Sequence, residues 1–152
     1  MGISKHISSK ESVYSRTAQR LDIDNTPTKE HKENMIKLAE EIFEPLRSYA
    51  GGPIKINSFY RSPKLNKAIG GSSKSQHCNG QAIDIDDTFG RLTNAEMYQF
   101  IKQHLDFDQM IWEFGNEDNP NWVHVSYVSP QENRNRCLQA YKENGKTKYK
   151  VI

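Results

Sequence analysis

Apolar residues recur at helical spacing between residues 26 and 49, the longest periodic stretch of the chain. Residues three or four positions apart share one face of a helix, and this stripe consists of Met35, Ile36, Ala39, Ile42, Phe43 and Leu46. Thr26 and Pro27 are typical of a helix start, and Gly51 follows the expected end. Pro45 lacks a backbone N–H, so we expect it to kink or narrow the last turn.

A second helix is predicted to begin at Thr93. Thr93 and Glu96 have the spacing of a capping box, in which each side chain accepts a hydrogen bond from the other residue's backbone N–H. The apolar face expected for this helix comprises Met97, Phe100, Ile101 and Leu105. Residues 8–24 carry only scattered apolar positions, which favours a short helix followed by an extended arm.

Shorter segments alternate apolar and polar residues with the period of two that strands show. This pattern predicts strands at residues 54–60, 81–86, 109–114 and 122–128, and an edge strand at 148–152 with Tyr149 and Val151 inward. Residues 64–74, rich in Gly, Ser and Lys, are predicted to form a loop. The order of elements indicates an α+β domain, with helices packed on a small, mostly antiparallel sheet.

Two of the predicted strands carry polar side chains that suit a metal ion. The strand at 81–86 places its isoleucines on one face and presents Asp84 on the other. His77 lies in the polar segment just before it, and His124 lies on the polar face of the strand at 122–128. If both strands belong to one sheet, two imidazoles and a carboxylate can converge and leave a fourth position open, as in catalytic zinc sites.

Hydrolysis at such a site also needs a carboxylate that moves a proton. Glu113 is our candidate, because it lies near the end of the strand that precedes His124. Glu117 and Asp118, in the loop that follows, are alternatives for this role. Arg61, expected at a strand end, can hold a substrate carboxylate or a developing oxyanion. Each side chain alone fits a structural role better, and only their combination points to chemistry.

Composition narrows the classes of function. The chain has 152 residues and a formal net charge of +2, which fits one domain and gives no basis for a nucleic-acid partner. Cys78 and Cys137 form neither a disulfide framework nor a metal-binding pattern. We see no secretion leader and no apolar run long enough to span a membrane, so we expect synthesis in the cytoplasm and no membrane partner.

The motif Ser75-x-His77-x-x-Gly80-x-Ala82-x-Asp84, followed by Trp122-x-His124, resembles a family of zinc peptidases. That family comprises the D-alanyl-D-alanine carboxypeptidases and L-alanyl-D-glutamate endopeptidases, which act on peptidoglycan and share the fold of the hedgehog signalling domain. Residues 58–62, with Asn66 and the pair Gly70-Gly71, resemble the arginine strand and following loop of the family. The resemblance covers roughly residues 25–128.

The resemblance implies Zn²⁺ on His77, Asp84 and His124, a catalytic Glu113, and an Arg61 that binds or polarises the substrate. Other members carry an acidic residue three positions before the last histidine, whereas this chain has Asn121, which cannot act as a base. Glu113 matches a subgroup with a longer loop before that histidine. The resemblance also points to a stand-alone enzyme of the kind that bacteriophages and prophages encode as endolysins.

These observations predict a single zinc peptidase domain over residues 1–152, with an N-terminal arm (1–24), a core (25–128) and a C-terminal extension (129–152). We expect a monomer that hydrolyses bonds to D-amino acids in peptidoglycan stem peptides, by D,D-carboxypeptidase or L-alanyl-D-glutamate-type endopeptidase action. The alternative is a non-catalytic, zinc-stabilised wall-binding or virion structural module. The position of Glu113 relative to the metal-binding residues distinguishes the two.

Overall fold

The computed structural model of the protein describes residues 2–152. Its α-helices are α1 (Ser9–Val13), α2 (Arg16–Arg20), α3 (Lys29–Leu38), α4 (Glu44–Ala50), α5 (Pro63–Ala68) and α6 (Asn94–His104). Its strands are β1 (Lys55–Ser58), β2 (Ala82–Asp86), β3 (Gln109–Glu113), β4 (Trp122–Ser126), β5 (Arg136–Glu143) and β6 (Lys146–Val151). A π-helical turn (Ala39–Phe43) joins α3 to α4, and a 3-10 turn (Gln76–Asn79) precedes β2.

The strands of residues 2–152 form one six-stranded sheet in the order β1-β2-β4-β3-β5-β6. Every neighbouring pair is antiparallel except β3 and β5, which run parallel. This architecture confirms the predicted α+β class with a mostly antiparallel sheet. Within the same residues, none of the helices combines the length and hydrophobicity that a membrane crossing requires.

The two faces of the sheet have different surroundings. On one, the core face, strand residues pack with the helices in the main hydrophobic core, which includes Ile83, Ile85, Met110, Trp112, Val123, Val125, Met35, Leu38, Leu46, Met97 and Ile101. The other, the cleft face, carries the alternate residues of each strand, among them Asp84, His124 and Glu113. Ile3 and Ile7 from the N-terminal arm and Cys137 from the C-terminal extension belong to the same core.

The long predicted helix is present, with a change in its middle and at its start. The stripe is buried except for Ile36, which is 36% exposed, and residues 39–43 adopt a π-helical turn just before Pro45. A wider turn accommodates the proline, which cannot donate the usual backbone hydrogen bond. Thr28, and not Thr26, caps the helix, because its hydroxyl accepts a hydrogen bond from the His31 N–H. The predicted capping box of α6 is confirmed.

Three other sequence predictions are wrong. The predicted loop at 64–74 contains helix α5, which Ser62 caps and Pro63 begins. Residues 8–24 form two short helices, α1 and α2, each capped by a serine. Strand β6 is an edge strand as expected, but Tyr149 and Val151 are 54% and 69% exposed and do not point inward, because the face that carries them is not covered.

Candidate metal centre

The 3-10 turn before β2 determines where His77 lies. The Ser75 hydroxyl accepts a hydrogen bond from the His77 N–H at the start of the turn, and Gly80 ends it in the left-handed region, with φ of 73°. A Cβ at Gly80 would lie 2.5 Å from the His31 carbonyl oxygen. A larger residue would therefore clash with that oxygen and would also have to adopt an unfavourable positive φ. His77 is thereby held against the first residues of β2 with 2% of its surface exposed.

Strand pairing brings the other two residues together. Asp84 on β2 and His124 on β4 are direct partners in the antiparallel register, so their side chains share the cleft face. His124 Nδ1 lies 2.9 Å from Asp84 Oδ1, and His77 Nε2 lies 3.3 Å from Asp84 Oδ2. One ligand atom from each of the three residues lies within 4.8 Å of the other two. The structure thus brings together all three predicted zinc-binding residues.

The hydrogen bonds of His77 indicate what the cluster is built to hold. Its Nδ1 lies 2.7 Å from the Phe59 carbonyl oxygen, which can only accept, so Nδ1 carries the proton. Burial lowers the pKa of His77 and favours the neutral ring, which leaves a lone pair on Nε2. That buried Nε2 has no hydrogen-bond partner among residues 2–152. A buried lone pair facing a carboxylate is costly unless a cation lies between them, and two imidazoles with a carboxylate suit Zn²⁺.

Asp84 is ionised at the centre of this cluster. Burial alone would raise the pKa of its carboxyl, but the adjacent imidazoles of His77 and His124, the latter hydrogen-bonded to Oδ1, outweigh burial and hold that pKa well below its usual range. Arg61 Nη2 donates to Asp84 Oδ2 over 3.1 Å. A carboxylate that carries a full negative charge and lies between two imidazoles is the expected anionic ligand of a divalent metal.

Arg61 is oriented by neighbours on two sides. Its Nε donates to the Ser58 hydroxyl over 2.9 Å, and its Nη1 donates to Asn66 Oδ1 over 3.2 Å. Asn66 is 3% exposed and in turn donates to the Ser72 carbonyl oxygen. Arg61 also lines the cleft, so its guanidinium orients Asp84 while part of it remains accessible to a substrate.

Glu113 occupies the cleft face one step along the sheet from the cluster. It pairs with Trp122 in the register, so it is the diagonal neighbour of His124, a separation of about 7–8 Å between backbones. Its exposed fraction is 8%, and burial raises the pKa of its carboxyl to about 7; His124 and Arg61 oppose this shift and Asp84 adds to it. A carboxylate with this pKa can both accept and return a proton near neutral pH.

The competing acidic residues are placed differently. Glu117 and Asp118 are exposed in the β3–β4 loop, outside the cleft lining. Asn121, which stands where the resemblance would lead one to expect an acid, is exposed and donates its backbone N–H to the Glu113 carbonyl oxygen. Asp86 accepts a hydrogen bond from Asn94 Nδ2.

A cleft of about 660 Å³ contains the cluster, Arg61 and Glu113. Trp122 lines it, together with the loop at 69–76. A second cavity of about 710 Å³ lies against the N-terminal arm and includes none of these residues. We place the site in the smaller cleft, because volume alone says nothing about chemistry, whereas the buried ligand atoms do.

Sequence reasoning missed the contribution of the C-terminal extension. Strand β5 pairs with β3, and β5 and β6 add Leu138, Lys142, Thr147 and Tyr149 to the cleft. The signal for this hairpin is Asn144-Gly145, a two-residue turn in which both residues have positive φ, 52° and 77°. It also missed Asp108, which is 3% exposed and accepts from both Gln76 and Arg134.

A comparison of the chain with models of known protein families identifies its family. The model of a family described as Peptidase M15 matches residues 5–126 of the chain, a span that includes all five predicted site residues. The chain belongs to the M15 peptidase family. No curated protein matches it. This match confirms the peptidase family that the histidine–aspartate–histidine motif predicted.

M15 peptidases are zinc-dependent metallopeptidases of the peptidoglycan-peptidase kind, so this M15 peptidase is an enzyme and its cofactor is zinc. The non-catalytic alternative loses its main support, since Glu113 lies in the same cleft as the metal-binding cluster. The family match ends at residue 126, before β5 begins. The last two strands of the cleft are thus outside the part that matches the family model.

Proposed function

We propose that this M15 peptidase hydrolyses peptide bonds involving D-amino acids in peptidoglycan stem peptides, as a D,D-carboxypeptidase or an L-alanyl-D-glutamate-type endopeptidase. The observation that carries the proposal is the buried, unpartnered Nε2 of His77 beside Asp84 and His124, in the same cleft as Glu113. In this proposal His77, Asp84 and His124 hold zinc, Glu113 is the general base and acid, and Arg61 binds the substrate.

The metal ligands, Glu113 and Arg61 have separate roles in the proposed hydrolysis. Zinc on the three ligands supplies a Lewis acid that acidifies water and polarises the carbonyl of the scissile bond. Glu113 accepts a proton from water on a carboxylate oxygen as the water oxygen adds to the carbonyl carbon. Glu113 then donates that proton to the leaving amine nitrogen as the C–N bond breaks. Arg61 keeps Asp84 oriented and offers its remaining N–H groups to a substrate carboxylate or carbonyl oxygen.

The whole chain is proposed to act as one domain on the bacterial cell wall, as a monomer. Residues of the arm (1–24) and the extension (129–152) pack into the same core as residues 25–128, which supports one folding unit. The phage or prophage origin stays a prediction.

Mass spectrometry of digested peptidoglycan tests the proposed reaction. We expect the protein to release stem-peptide fragments that disappear with a chelator and return when zinc is added. Loss of a terminal D-alanine would identify the carboxypeptidase, and an L-alanyl-D-glutamate cut the endopeptidase. Intact stem peptides, from several wall types and a zinc-loaded protein, would contradict the proposal.

A further inference from the structure

The hairpin β5–β6 extends the cleft face beyond the catalytic residues. Glu113 on β3 pairs with Ala140 on β5, and Ala140 pairs with Tyr149 on β6. These three residues therefore form a row across adjacent strands, at about 4.8 Å per strand. Tyr149 lies two strands from Glu113 on the side away from β4, where His124 lies.

Glu113 and Tyr149 at the two ends of the row line the cleft, and Ala140 lies buried between them. Ala140 has no exposed surface and packs with Ile111, Leu138 and Phe114. Tyr149 is 54% exposed, and it lines the same cleft as Glu113, with Thr147 and Lys142 beside it. A peptide that reaches Glu113 from this side of the cleft passes these side chains.

Lys142 is oriented in this part of the cleft and its charge is not neutralised. Its Nζ donates to the Thr147 hydroxyl over 2.8 Å and lies 5.5 Å from the centre of the Phe114 ring. Phe114 adopts φ of 55°, rare for this residue type, and its ring also packs against Trp122. Within residues 2–152 no acidic side chain pairs with Lys142, whereas Lys148 of the same hairpin pairs with Glu143.

We propose that the hairpin β5–β6 forms a substrate subsite in which Lys142 binds a carboxylate of an acidic peptide and Tyr149 packs against the peptide chain. This inference rests on the proposed function and names the substrate feature that the site selects. Lys74 lines the same cleft from the 69–76 loop, so cationic side chains are present on both the loop and the hairpin. An ammonium with two N–H groups free to donate matches the charge and hydrogen-bonding capacity of a carboxylate.

Steady-state kinetics on one soluble stem peptide, with an internal carboxylate free or amidated and the C-terminal carboxylate free in both forms, tests the subsite. The variants are K142Q, K142R and K150Q, and Lys150 is the matched control because it lies on the opposite face, above Tyr141. We expect K142Q to raise KM for the acidic peptide roughly threefold to tenfold, with kcat little changed. Amidation should raise the KM of the wild type by a similar factor and should leave the KM of K142Q unchanged. K142R should restore most of the affinity, and K150Q should match the wild type.

Two outcomes would overturn the subsite. One is a K142Q variant with the KM of K150Q on the acidic peptide, and the other is equal sensitivity to amidation in K142Q and the wild type. If the wild type cleaves no peptide, the proposed function fails first. The affinity of the acidic peptide for zinc-loaded E113Q, with and without K142Q, then decides the subsite separately.

Discussion

Burial shifts the pKa values of His77 and Glu113 in opposite directions, and both shifts favour the proposed chemistry. It lowers the pKa of His77, which keeps the imidazole neutral and its Nε2 lone pair available to a metal. It raises the pKa of Glu113 to about 7, which makes the carboxylate a stronger base than a solvated glutamate. The two residues lie in one cleft. Exclusion of water from that cleft therefore keeps His77 neutral as a metal ligand and makes Glu113 a stronger base.

Replacement of Glu113 by glutamine should separate catalysis from metal binding. We expect E113Q to retain zinc, because Glu113 is not one of the clustered ligands, and to lose kcat by about 10²–10⁴-fold, the usual contribution of a general acid–base group. Metal content and kcat are measured on the same preparation. E117Q is the matched control, since Glu117 is an exposed acid in the adjacent loop and should keep full activity. Full activity in E113Q would refute the assignment.

The pH dependence of kcat/KM reports the same carboxyl group. Glu113 accepts a proton only when ionised, so activity should rise with pH through its pKa. Burial raises that pKa from 4.5 to about 7, and the positive charge of bound zinc lowers it again, so the midpoint should lie between these values. A profile that stays flat from pH 4 to pH 8 would contradict this role.

Strand register and helix capping account for what could be predicted from the sequence. Alternation at β2 and β4 identified Asp84 and His124 as residues of one polar face, and the antiparallel pairing makes them direct neighbours. The capping box at Thr93 predicted α6 because its hydrogen bonds are local. The position of His77 just before β2 made it a candidate ligand, but nothing in a polar segment predicts the 3-10 turn that directs it toward that strand.

The unpredicted elements depend on contacts distant in sequence. Strand β5 has one local signal, the Asn144-Gly145 turn at its end, but its exposed charged residues obscure the alternation and its place in the sheet depends on parallel pairing with β3. Helix α5 carries a local signal in Ser62-Pro63, which also fits a turn, and the Gly and Ser residues that follow favoured the loop that was wrongly predicted. The inward orientation expected for Tyr149 failed because alternation identifies which residues share a face but not whether that face is covered.

The segment between β4 and β5 is attached to the metal-binding turn through Asp108. Arg134 donates from Nε and Nη2 to the two carboxylate oxygens over 2.9 Å each, and Gln76 donates to Oδ2 over 2.9 Å. Gln76 precedes His77 in the 3-10 turn. The extension therefore reaches the site through a buried carboxylate as well as through the sheet.

Removal of Arg134 should weaken the fold. We expect R134A to lower the free energy of unfolding by about 1–2 kcal/mol, because the buried Asp108 loses two charged hydrogen bonds while Arg134 itself is half exposed. Urea unfolding of the metal-free protein measures the change. R136A, which removes an exposed arginine two residues later, should stay within about 0.5 kcal/mol of the wild type. Equal stabilities for R134A and R136A would show that the pair contributes nothing.

The two faces of the sheet have different functions in the molecule as a whole. The core face joins the strands to α3, α4 and α6, and the cleft face holds the ligand cluster, the base and the proposed subsite. Residues from β2, β4 and the 3-10 turn meet only in the folded chain. Zinc binding should therefore require the fold, and a ligand that binds only the folded state stabilises it.

Titration of the metal-free protein with zinc, followed by peptide hydrolysis, tests the central claim most directly. We predict no hydrolysis without metal, a linear rise with added zinc, and saturation at one ion per chain. H77A should bind no zinc at this site and stay inactive, whereas H104A, which removes an exposed histidine of α6, should follow the wild-type curve. Hydrolysis by the metal-free protein, or a normal titration curve for H77A, would contradict a single catalytic zinc on His77, Asp84 and His124.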